Sequence, residues 1–101
     1  MRDIINVQKD EYGYSVYWGE YIRLEVGNGQ REYAYHRAIE LRALSKALTT
    51  LAEQGIELDN RSKEYLRLES SIKTLGYYYG GERKNEQLIA DRAIELWKTG
   101  L

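Results

Sequence analysis

Residues 14–29 read YSVYWGEYIRLEVGNG, and how this stretch folds decides the architecture. Tyr14 to Trp18 is β-branched and aromatic, and Tyr21 to Val26 alternates polar or charged side chains with aliphatic ones. That period of two belongs to a half-buried strand. Gly19-Glu20 lies between the two runs. A two-residue loop with glycine first suits a type II′ turn, whose first central residue needs a positive φ. The spacing therefore predicts a hairpin, with Tyr14, Val16 and Trp18 on one face of its first strand and Ser15 and Tyr17 on the other. Strict alternation on the return strand puts Ile22, Leu24 and Val26 on one face and Tyr21, Arg23 and Glu25 on the opposite one.

Working outward, Ile4 to Lys9 followed by Asp10-Glu11-Tyr12-Gly13 predicts a third antiparallel strand joined by a longer turn. Gly27-Asn28-Gly29 is the strongest break in the chain. Arg31 to Tyr35 alternates again and reads as a short fourth strand or extended arm. From Arg37 the pattern is helical: Leu41, Leu44, Leu48 and Leu51 step by three and four residues, with Ala38, Ala47 and Ala52 widening the stripe, to a stop at Gly55 after Gln54. Asp59 or Asn60 can cap a second helix, whose apolar face runs through Tyr65, Leu68, Ile72, Leu75 and Tyr79. That helix either frays before the triplet Tyr77-Tyr78-Tyr79 or continues to Gly80-Gly81. A third helix spans Glu82 to Thr99, burying Ile89, Ala93 and Leu96. RAIEL occurs at residues 37–41 and again at 92–96, a coincidence of common helix formers rather than a repeat array, which needs three copies. The expected fold is α+β: an N-terminal antiparallel β-meander of three strands, or four with residues 31–35, followed by three α-helices packed on one face. Residues 1–101 form a single domain, strand-rich over 3–35 and helical over 37–99.

Composition narrows the function. Among 101 residues there is no cysteine, which removes disulfides, thiolate metal sites and a cysteine nucleophile. One histidine makes a histidine metal site unexpected, and fifteen basic against sixteen acidic side chains give a net charge of −1. No global field then attracts a polyanion. No run reaches the roughly 20 apolar residues of a membrane span, and residues 1–12 lack the apolar stretch of a secretory signal. The expected location is cytoplasmic.

Catalytic constellations are weak. His36 and Glu40 are four apart and read as a solvated helix start. The pairs Glu82/Glu86 and Asp91/Glu95 read as an exposed acidic face, and no Gly-x-Ser-x-Gly elbow occurs. Gly27 to Arg31 lacks the ending of a phosphate loop. Gly80 to Lys84 could present backbone N–H groups to an anion, but it has a sufficient role as a connector. A helix-turn-helix reading around Leu51 to Ile56 fails on its long linker and mixed-charge second helix. No catalytic residue, cofactor or metal site is expected.

The tyrosines remain: ten of them, with no phenylalanine. Three consecutive rings on a helix point about 100° apart and cannot all face one core, and a sheet covered on one side leaves its other face open. Exposed tyrosine beside arginine is the composition of a protein-recognition surface. The sequence thus points to a non-catalytic interaction module that self-associates or docks on a larger intracellular partner, a regulator or inhibitor of the kind that phage or mobile elements encode against host defence. Partner-binding candidates are Tyr17, Tyr21, Arg23, Tyr77, Tyr78, Arg83 and Lys84. The alternative is a nucleic-acid binder, with tyrosines stacking on bases and Arg31, Arg37, Arg83 and Lys84 on phosphates; balanced charge argues against it.

Overall fold

The structure, a computed structural model, describes residues 4–79 and 86–100, with only the backbone course for 76–79. Three strands, β1 (Ile5–Lys9), β2 (Gly13–Trp18) and β3 (Tyr21–Gly27), form an antiparallel sheet in the order β1-β2-β3. A short 3₁₀ turn over Asn28–Gln30 leads into α1 (Arg31–Glu53), followed by α2 (Lys63–Tyr79) and α3 (Glu86–Lys98). The α+β architecture expected from the sequence is the one observed.

Local chemistry explains the turns. The Asp10 carboxylate accepts from the N–H groups of Tyr12 and Gly13, at 2.8 and 3.0 Å, closing the β1–β2 loop as an Asx turn. Gly19 has φ +61 and, among the described residues, none other than glycine has positive φ, so Glu20 does not, and the β2–β3 loop is the type II′ turn. At the end of α1, Gly55 has φ +82, and Ile56 N–H donates to Leu51 O at 2.8 Å while Gly55 N–H donates to Ala52 O. This is a Schellman ending, with Ile56 folded back on the core. Ser62 caps α2 by accepting from Tyr65 N–H at 3.2 Å. Asp59, an expected cap, instead accepts from Arg61 N–H in the linker.

Two expectations need correction. Residues 31–35 are the first turn and a half of α1, not a strand or arm. Five alternating residues also fit a helix, and Ala34, Ala38 and Leu41, all wholly buried, form the stripe that decides it. The second correction lies in β3. Val16 pairs with Leu24 but Tyr17 pairs with Ile22, so Arg23 is the extra residue of a β-bulge. Beyond the bulge the faces exchange: Ile22 shares a face with Tyr17, while Tyr21 lies opposite Trp18 on the helix side.

α1 is the middle layer. One of its sides, Ala34, Ala38 and Leu41, packs on Ile5, Tyr14 and Val16 of the sheet. The other, including Ala43, Leu44, Ala47 and Leu51, packs on Tyr65, Leu68 and Ile72 of α2 and on Ile89, Ala90 and Ala93 of α3. Alanines at the contacts let the helices approach closely. Trp18 touches both cores. Asn6, Gln8, Ser15, Tyr17 and Glu25 lie on the face of the sheet opposite α1, and Ile22 sits at the edge of the hairpin tip. No helix among the described residues is long and apolar enough to cross a membrane.

Candidate functional site

β3 and α2 both lean on α1 and leave a groove between them at the hairpin tip. Its volume is about 800 Å³. The hairpin supplies Trp18, Tyr21, Ile22 and Arg23, α1 supplies Leu48, the α1–α2 linker supplies Leu58 and Asn60, and α2 supplies Tyr65. The type II′ turn and the bulge position this wall. The turn fixes the Trp18/Tyr21 pair, and the extra residue swings Arg23 toward α2 while leaving Ile22 at the rim.

Arg23 spans the groove. Its guanidinium lies over the Trp18 ring, 5.2 Å from the centroid, and its Nη2 is 3.6 Å from Glu69 Oε2 on α2. Burial raises the Tyr65 phenol above its ordinary pKa, with Arg23 partly offsetting the rise. Lys73 Nζ reaches the other oxygen of Glu69 at 3.5 Å.

Next to this bridge sits Glu40, the only charged residue in the core among those described, at 8% exposure. His36 Nε2 and Arg37 Nη1 each lie 3.8 Å from its oxygens. Burial pushes the Glu40 carboxyl above the usual carboxylate range; Arg37, His36 and Lys73 pull it back, and Glu69 adds to the rise. The His36/Glu40 pair is thus not the solvated helix start that its spacing suggested. Glu40 lies on the α1 surface that α2 covers, and only the packing of α2 could reveal this.

Tyr21 and Arg23 come together at the groove. Tyr17 does not: it is half-buried and is not among the residues that line the groove. The α2 backbone is helical through Tyr79, so the triplet belongs to that helix, but the rings of Tyr77, Tyr78 and Tyr79, and all of Arg83 and Lys84, lie outside the described residues. Of the seven tyrosines whose side chains are described, Tyr12, Tyr21 and Tyr33 are exposed, Tyr17 and Tyr35 are intermediate, and Tyr14 and Tyr65 are buried. Sequence reasoning missed Trp18, Leu48 and Tyr65 as groove residues, since each also continues an apolar stripe, and Leu58, which falls in the linker between α1 and α2. It missed Ile22 because alternation placed it inside.

Three arginines elsewhere are engaged. Arg31 stacks on Tyr35. Arg67 stacks on Trp97 and donates to its carbonyl at 3.0 Å, and Arg42 donates to the Ile5 carbonyl on the free edge of β1. Among the described residues no cluster of three histidine, aspartate or glutamate side chains could hold a metal. No protein-family model, curated protein or solved structure significantly matches the chain.

Proposed function

We propose that this protein is a non-catalytic protein-binding module of the cytoplasm, a small regulator or inhibitor that docks on a larger partner through the hairpin-tip groove. One observation carries the reading. Tyr21 is 77% exposed and Ile22 51% exposed, both at the mouth of a groove walled by Trp18, Leu48, Leu58 and Tyr65. Large apolar side chains left in water forfeit about 25 cal/mol per Å² of burial, so a cluster of them beside a concave surface is the mark of an interaction site. Tryptophan, tyrosine and arginine converge here, and these are the residue types that dominate binding energy at protein interfaces.

The nucleic-acid alternative has less support. Of the cations assigned to phosphates, Arg31 is stacked on Tyr35 and Arg37 is paired with Glu40. The net charge of −1 supplies no basic excess for phosphate contacts.

The test is differential capture. The wild-type chain, a Tyr21→Ala/Ile22→Ser double variant and a Tyr33→Ala control are immobilised and exposed to a native lysate, and bound proteins are compared. Tyr33 is also exposed but lies fifteen residues before Leu48 on α1, about 22 Å along the helix. A protein retained by wild type and Tyr33→Ala but lost by the double variant supports the reading. Equal retention by all three, with melting temperatures unchanged, refutes it.

A further inference from the structure

We propose that the occupant of the groove is an acidic, apolar segment of a partner protein: a large aliphatic or aromatic side chain seated against Trp18, Leu48 and Leu58, with a neighbouring carboxylate on Arg23. The inference rests on the protein-binding reading above and adds the chemistry of the partner.

Charge complementarity carries it. Arg23 is the one charged side chain among the residues lining the groove. Its internal partner is shared: Glu69 answers both Arg23 at 3.6 Å and Lys73 at 3.5 Å. Glu40 is likewise divided between Arg37 and His36. Glu69 therefore offers Arg23 only one of its two oxygens, the other being turned to Lys73. The contact geometry agrees. A bidentate arginine–carboxylate pair closes to about 2.7–2.9 Å, and Arg23 and Glu69 remain at 3.6 Å, so the guanidinium keeps donors from its set of five for a second acceptor. Trp18 covers one face of that guanidinium and leaves its edge for in-plane contacts. The remaining walls are apolar or aromatic apart from Asn60. A basic segment would meet Arg23 with like charge, and a purely apolar one would leave the remaining donors of Arg23 without an acceptor.

The test is selection of a phage-displayed random dodecapeptide library on the immobilised full chain, followed by fluorescence anisotropy of the enriched peptides with wild type, Arg23→Gln, Glu69→Gln and Tyr21→Ala/Ile22→Ser. The expected peptides pair aspartate or glutamate with a large apolar residue. Arg23→Gln weakens them about tenfold, the size of one lost charge-assisted contact. Glu69→Gln tightens them several-fold, because it removes the internal carboxylate that competes for Arg23; a merely structural bridge would not give that sign. Peptides that lose binding in the Tyr21/Ile22 variant but carry no acidic residue, or that ignore Arg23→Gln and Glu69→Gln, overturn the acidic partner and leave the groove as a docking site. Failure to enrich any peptide sensitive to Tyr21 and Ile22 overturns both.

Discussion

Gly13 and Gly27 face each other across β2 and β3, yet they should respond oppositely to alanine. Gly13 has φ +157, and a Cβ there would lie 2.0 Å from the Val26 carbonyl oxygen and 2.8 Å from Gly27 Cα. Carbon needs about 3.5 Å from such neighbours, so β3 has to move by more than an ångström or Gly13 has to change conformation. The second course gives up the Asx turn, in which Gly13 N–H donates to Asp10. Backbone strain of this kind costs about 1–3 kcal/mol. Loosening one or two ladder or turn hydrogen bonds adds about 1 kcal/mol each. Gly13→Ala should therefore destabilise by about 3 kcal/mol, which in a domain of this size lowers the melting temperature by roughly 12 °C or more. At Gly27 the backbone is at φ −74, ψ 175 and nothing lies within 4 Å of an added Cβ. Gly27→Ala should be neutral or stabilise by about 0.4–1 kcal/mol, through the reduced entropy of the unfolded chain. Thermal unfolding followed by circular dichroism, with urea titrations to confirm an unchanged m-value, reads both. Equal shifts for the two variants would refute the register and the account of the bulged hairpin built on it.

Other outcomes follow from burial and charge. Glu40 has its pKa raised in the fold, so the folded state holds the proton more tightly than the unfolded chain, and this contribution to stability is present at acid pH and lost as pH rises through the folded pKa. Glu40→Gln should accordingly melt higher than wild type at pH 7–8, with the gap closing as pH falls to the ordinary carboxylate range; a lower melting temperature at pH 7 would show that the contacts to Arg37 and His36 outweigh desolvation. Leu68 is fully buried and Leu66, two residues away on α2, is 54% exposed. Leu68→Ala should cost about 2–5 kcal/mol and Leu66→Ala within about 0.5 kcal/mol, as measured by urea denaturation; similar losses would mean that α2 is rotated from the orientation described. Tyr21→Ala should leave the melting temperature nearly unchanged, since an exposed ring gives little to the monomer, and a large loss would reassign it to the core.

The meander, the type II′ turn, the Gly55 stop and the leucine stripe of α1 were legible because each depends on residues close in sequence: a period of two, a glycine where φ must be positive, a period of 3.6. Three features were not. The helical start of α1 at Arg31 was hidden because five alternating residues satisfy both periods, and the choice came from Ala34 and Ala38 finding the sheet. The bulge at Arg23 breaks the alternation that made β3 recognisable, and its reason lies on another element, where Arg23 meets Glu69 and Tyr65. Glu40 looked like any exposed helical acid, and its burial follows from α2 crossing over it. In each case the deciding partner lies far along the chain. Local periodicity set which elements form, while the packing of α2 and the sheet against the two sides of α1 decided which side chains share the groove.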